Sequence, residues 1–411
     1  MKHLFFICLY LLASCTQSAK EITIAVEAGL YDRADCIVSV SVQGLDISGD
    51  STFELVEITG GKSKKTPCQI MVEAGSNPVL YWVLQGETKA GSVRTFTAKK
   101  VKTTPSGFSM RVQDTSDEMI LTKSGFQVLK FKYSITPPPA GVDPSFERGG
   151  YFHPVFAPSG FVLTAIQPKD HYHHFGIWNA WTRMEHENAV YDLWNIGDKQ
   201  GTVRVDKILS TFEGNVGSGF DVDFDHIAFA PSGEEKLMKE RLHVTSWNVD
   251  GGFLWDYESL SIPIAKQPVT MKAYRYGGFV YRATEQWTKE NSQIITSDIP
   301  TRNRIDGTTA RWINVTGETE KGPVSILFLG HPDNINAPQP LRIWDEAANN
   351  GRGDIMINFA PAKFVDWQLQ PATPYSMRYR IFTCDGVMTN GTADRLWRDY
   401  ADPPIVKIII D

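Results

Sequence analysis

The stretch Phe220-Asp221-Val222-Asp223-Phe224-Asp225-His226-Ile227-Ala228-Phe229 decides the class of fold. Its three aspartates, two residues apart, resemble the start of a calcium loop. No glycine occupies the turn and no glutamate closes it. Apolar and acidic residues instead alternate with the period of a β-strand, which places Phe220, Val222 and Phe224 on one face and the aspartates on a solvated one. The same alternation continues on both sides, at 202–208, 241–249, 253–260, 270–274, 280–285, 310–315, 324–329 and 377–384. Towards the N-terminus it marks 22–26, 37–42, 53–58, 79–84 and 94–99, then 108–112, 119–121 and 126–133. Turn-rich stretches such as Gly60-Gly61-Lys62 separate the runs. One helix is expected, from Thr392 as N-cap through 393–400, stopped by Pro403-Pro404. Many strands without intervening helices exclude a Rossmann or barrel α/β design. The expectation is all-β: a small sandwich module over 20–105, then a large antiparallel sandwich over 106–411 that carries the site, with a short C-terminal helix.

The 411 residues suffice for two such units, and 42% hydrophobic content excludes wholesale disorder. A formal net charge of -6, with no basic block beyond Lys62, Lys64 and Lys65, argues against a nucleic-acid partner. The 11 Trp, 14 Tyr and 22 Phe suit β-sandwich cores and also suit sugar-stacking clefts.

Residues 1–15 read as an address. Met1-Lys2-His3 precedes a short apolar run that ends in Leu12-Ala13-Ser14-Cys15, the pattern of a lipoprotein signal with Cys15 as the lipidated residue. Thr16, rather than an acidic residue, follows the cysteine, so an outer-membrane lipoprotein facing the periplasm or the outside is expected. Membrane attachment would be through this lipid anchor only, since no later apolar run reaches spanning length. Of the remaining cysteines, Cys36 and Cys68 could form a disulfide or stay as two buried thiols. No CxxC exists, which disfavours a thiolate zinc site.

Five of nine histidines lie between 153 and 186, densest in Asp170-His171-Tyr172-His173-His174-Phe175-Gly176-Ile177-Trp178. If extended, His171 and His173 would share one face and His174 the other. Neutral imidazoles move protons, hydrogen-bond sugar hydroxyls or bind a divalent metal. His171 and His173 are therefore candidates for acid-base catalysis, with His153 and His174 orienting substrate. A divalent metal held by His171 and His173 is the alternative, and no cofactor is favoured. Trp178 is a candidate stacking platform, and Tyr276, Arg282, Arg311, His331, Asn334, Arg342 and Trp344 would line the cleft. Glu240 and Glu258 are carboxylate candidates of low specificity; no paired-carboxylate signature of a glycosidase is evident. Arg352-Gly353-Asp354 reads as a chance tripeptide.

Gly149-Gly150-Tyr151-Phe152-His153-Pro154-Val155, Pro158-Ser159-Gly160, the Asp170 to His174 block, Tyr276-Gly277-Gly278 and His331-Pro332-Asp333-Asn334 together resemble the bacterial PmoA-like family of unknown function. Tyr172 stands where that family has proline, Phe175 where it has arginine and Gly330 where it has aspartate. The family's methane-oxygenase label implies several spanning helices, which this sequence lacks. The resemblance implies instead a galactose-mutarotase-type supersandwich, a fold used by sugar epimerases, lyases and glycosidases. The expected function is that of an exported lipoprotein acting on an oligo- or polysaccharide; a non-catalytic glycan binder and a His-ligated metalloenzyme are the alternatives. The oligomeric state is not legible.

Overall fold

A computed structural model describes residues 21–43, 52–72, 77–101 and 107–409. Cys15 and the expected signal lie outside the described residues. Every named strand pairing is antiparallel, and the chain is all-β with a short C-terminal helix.

The first strands build a small sandwich. A five-stranded sheet runs in the order Ile405–Ile409, Glu21–Glu27, Val93–Val101, Thr52–Thr59, Lys62–Thr66. It packs on a three-stranded sheet of Arg33–Ser41, Val79–Thr88 and Cys68–Met71. Ile22, Ile24 and Val26 alternate inward to meet Val38, Leu80 and Trp82. The last strand, expected with the large region, instead pairs with Glu21–Glu27 from Thr23↔Ile409 to Glu27↔Ile405. Val406 and Ile408 thereby reach the small core, which leaves the terminal strand no apolar role in the large one. Cys36 and Cys68 are free thiols, on the two strands flanking Val79–Thr88; the Cys68 thiol donates to the Phe53 carbonyl at 3.3 Å.

The large sandwich has two eight-stranded sheets. One runs Leu341–Ile343, Met356–Phe359, Gly277–Arg282, Ile177–Trp181, Tyr151–Val155, Phe126–Lys132, Glu118–Lys123, Met110–Asp114. The other runs Gly201–Phe212, Gly217–Ala230, Gly233–Trp247, Phe253–Pro263, Tyr375–Asp385, Val324–Gly330, Trp312–Gly317, Ser292–Thr296. Between them Phe131, Phe152, Phe220, Trp255, Tyr257 and Phe279 form one aromatic-rich core.

Two local expectations are corrected. The aspartates of Gly217–Ala230 are buried rather than solvated: Asp223 takes a two-pronged grip from Arg241 at 2.9 and 3.2 Å, Asp221 meets His243 at 2.7 Å, and Asp225 pairs with Lys236 at 2.6 Å. Long cross-strand side chains cover that face, which residue spacing alone does not show. The helix spans Asn390–Ala401 and begins earlier than expected, because Thr389 rather than Thr392 is its N-cap and accepts from the Thr392 N–H at 3.1 Å. That helix joins the two sandwiches. Buried Arg33 meets Asp399 at 3.2 Å on one side, and the Trp397 indole donates to the Gly330 carbonyl at 3.0 Å on the other.

Candidate active site

The histidine stretch is a compact loop rather than an extended strand. His171 N–H donates to the Pro168 carbonyl at 2.8 Å, His174 N–H to the His171 carbonyl at 3.0 Å, and Gln167 N–H back to the His174 carbonyl at 2.7 Å. Gly176 ends the loop at φ +58°, where a Cβ would collide with the Phe152 carbonyl, so the chain can enter the strand Ile177–Trp181 only as glycine. Two successive turns bring all three imidazoles to one side. His171 stacks on His174 with centroids 4.7 Å apart, and His173 meets His174 edge-on at 4.6 Å.

These rings lie against an aromatic floor. His174 is buried beside Trp178, Trp194 and Trp344, and its imidazole is held far below the ordinary histidine range by burial and then by His173. His173 is pushed down to about 4 by burial, with His171 and Arg148 adding repulsion. His171 is lowered by burial too, but Asp170 opposes the shift from 3.2 Å. It is the ring that reaches a cavity of about 250 Å³, which it lines with Arg342, Trp344, Asp345, Ala347, Ala348 and Asn349. All three imidazoles are therefore neutral at pH 7 and serve as proton acceptors or hydrogen-bond partners, not as resident acids.

Cations stand behind the cleft. Arg282 is buried, meets Asp354 at 2.6 Å and lies over the Trp344 ring at 4.9 Å, while its Nε and Nη1 have no hydrogen-bond partner among the described residues. Arg342 contacts Asp306 at 3.0 Å and donates to the Tyr276 hydroxyl at 3.2 Å. The same hydroxyl accepts from the Trp344 indole at 3.2 Å, so Tyr276 orients two cleft residues. Asn349 and Asn350, at φ 52° and 56°, bend the loop that carries Asp345, Asn349 and Asp354 to the cleft.

Thus His171, His173, His174, Tyr276, Arg282, Arg342 and Trp344 converge. The other expected site residues do not. Trp178 is only 1% exposed, packed on His174 and Trp194, and cannot be a stacking platform for sugar. His153 bonds Thr164 at 2.8 Å, is lowered to about 4 by burial and by Lys132, and does not line the cavity that His171 reaches. Arg311, His331 and Asn334 line a different cavity. Glu240 is sealed between the sheets, where it accepts from Asn179, His226 and Ser259. Asp354, Asn349 and Trp194 were not foreseen; Asp354 sits in the tripeptide dismissed as chance, and only the approach of Arg282 gives it meaning. Among the described residues no three His, Cys, Asp or Glu side chains are grouped to hold a metal ion, so the alternative of a metal on His171 and His173 finds no third ligand of those types. No described helix is long and apolar enough to cross a membrane.

The neutral histidines set a pH dependence of stability. His153, His173 and His331 are held at about 4, and His171 and His174 also lie below 6.5. The unfolded chain binds these protons near pH 6.5, whereas the fold resists them until lower pH. Between those limits the unfolded state carries more protons, so the stability is complete above about pH 6.5 and declines as pH falls towards about 4. Asp192 and Asp399, raised by burial, act in the opposite sense but are fewer. The denaturant midpoint should therefore fall between about pH 7 and about pH 5; an unchanged midpoint would contradict buried neutral imidazoles.

Comparison with known proteins adds a family and a fold. Residues 118–398 match the family of unknown function DUF6807, which gives no support to the PmoA-like label. No curated protein matches the chain. Among solved structures, a protein in the Glycosyl Hydrolase Family 38 from Enterococcus faecalis aligns over 95% of this chain and 47% of its own, at 7% identity and TM-score 0.52. The chain thus spans about half of that structure's length, and the likeness is one of fold alone. A galactose mutarotase related enzyme from Lactobacillus acidophilus aligns over 68% of this chain and 100% of its own, at 8% identity and TM-score 0.33.

Proposed function

The chain belongs to the DUF6807 family, whose function is unknown, and from its cleft we propose that it acts on an acidic carbohydrate by proton abstraction, as a lyase or epimerase of uronate-bearing sugars. The observation that carries this reading is the neutral His171 imidazole on the wall of a 250 Å³ cavity shared with Arg342 and Trp344. Abstraction next to a carboxylate needs an unprotonated base and a cation on the carboxylate. His171 takes the C5 proton, and the electron pair moves into the carboxylate, which Arg342 neutralises. Collapse of that enediolate expels the C4 oxygen, which recovers the proton from His171; in the epimerase arm a water molecule protonates C5 from the opposite face and the resulting hydroxide takes the proton from His171. A lowered pKa makes the base weak but its conjugate acid strong, so the return of the proton is easy and the cation must drive its removal. Trp344 offers its ring to the sugar. A glycosidase is disfavoured because, among the described residues, Asp345 is the single carboxylate lining the cavity, and hydrolysis uses two. The Leu12-Ala13-Ser14-Cys15 pattern supports placing this activity on an outer-membrane lipoprotein.

The test is incubation with uronate oligosaccharides and their carboxyl-reduced counterparts in D2O. The expected result is a C4–C5 unsaturated product, or deuterium at C5, from the uronates only. Binding without product or exchange would leave a glycan-binding protein and remove the enzymatic reading. Equal turnover of the reduced sugars would remove the role of the arginine.

A further inference from the structure

Arg311, His331 and Asn334 surround a second cavity of about 250 Å³, at the end of Val324–Gly330 and against the C-terminal helix. No described residue lines both this cavity and the histidine cleft. Its walls are mainly apolar: Ala310, Pro332, Ala337, Pro338, Phe359 and the Trp397 indole ring. Each side-chain amide oxygen already holds one partner. The Asn334 amide oxygen accepts from the Arg378 N–H at 2.7 Å, and the Gln339 oxygen accepts from the Tyr379 hydroxyl at 2.6 Å. Their amide nitrogens each give one hydrogen bond, to the Arg378 and Ile335 carbonyls.

Two donors remain. The His331 Nδ1 accepts from the Asp333 N–H at 3.1 Å, which leaves the ring proton on Nε2, and burial holds the imidazole at about 4, so it is neutral. Arg311 gives Nη2 to Asp394 at 3.3 Å and lies over the Trp397 ring at 5.1 Å, with its Nε and Nη1 given to no described residue. Among the described lining residues Arg311 alone is charged, and an anion uses that charge where a neutral sugar hydroxyl does not. An apolar body ending in an acceptor-only anion matches both the walls and the donors.

We infer that this cavity binds a small apolar carboxylate, with its body against Phe359 and Trp397 and its anion at Arg311 and the His331 Nε2–H. The assignment is independent of the carbohydrate reading.

The test is calorimetric titration of the full chain with 3-phenylpropionate and with 3-phenylpropionamide. The acid should bind at least about tenfold more tightly than the amide, because only the anion forms charge-assisted bonds to the guanidinium. Arg311→Gln should erase that preference. Ala337→Phe, at a half-exposed position on the cavity wall, should abolish binding by filling the space while the thermal unfolding midpoint is kept, and this variant guards against loss of fold at Arg311. His171→Ala should leave the affinity unchanged, which separates the two sites. Absence of binding, equal binding of acid and amide, or affinity unchanged in both cavity variants would overturn the inference.

Discussion

His171→Ala is expected to lower turnover of the uronate substrate by about 10²–10⁴-fold, the ordinary contribution of a positioned general base, while substrate affinity changes little. The substitution removes the one imidazole of the triplet that lines the cleft. The loop should survive it, because its turns are closed by backbone bonds from Gln167, His171 and His174. The ratio of kcat to KM effects decides the role: a residue that merely packs on Trp344 would change KM and thermal midpoint together. His171→Gln keeps hydrogen bonding without basicity and should be nearly as inactive as alanine; recovery of activity in that variant would reduce His171 to an orienting group.

Glu240→Ala is expected to destabilise the fold by about 3–5 kcal/mol, the cost of leaving buried polar partners without their charge. Glu240 accepts from both ends of a polar bridge between the sheets: Asn179 at 3.0 Å from one, and His226 at 2.7 Å and Ser259 at 2.6 Å from its own. Buried Arg148 holds the far side through the Asn179 carbonyl at 3.0 Å. Hydrogen bonds keep the Glu240 carboxyl below its ordinary range despite complete burial, so the charge is present and its removal strands its donors. Replacing Glu240 and His226 together by leucine should recover part of the loss, since neither partner is then left alone. Urea unfolding of the two variants beside the unaltered chain measures this. A single-variant loss below about 1 kcal/mol would mean that water replaces the carboxylate in the bridge.

The alternation in 220–229 made the large sandwich legible, because a strand with one apolar face has only one way to bury it. Short strands such as Met184–His186 and Ala189–Tyr191 were poorly legible, since three residues carry too little period to separate strand from turn. The histidine stretch was legible as chemistry but not as geometry. Nothing in Asp170-His171-Tyr172-His173-His174 specifies two turns over a strand, which arise from long-range bonds such as Gly176 N–H to the Ala165 carbonyl and from the close approach of Phe152.

The sequence by itself determined the all-β class, most long strands, the C-terminal helix and the histidines as the densest chemistry, because these follow from the period of burial and from side-chain type. The tertiary structure decided the grouping. It set Arg282, Arg342, Tyr276 and Trp344 with the histidines, moved Arg311, His331 and Asn334 to a second cavity, and sealed Trp178 in the core. The physical reason is that a strand's period assigns a residue to a face, whereas membership of a site depends on which strands become neighbours. In antiparallel sheets that pairing is fixed by contacts between residues hundreds of positions apart, as where Thr23 meets Ile409.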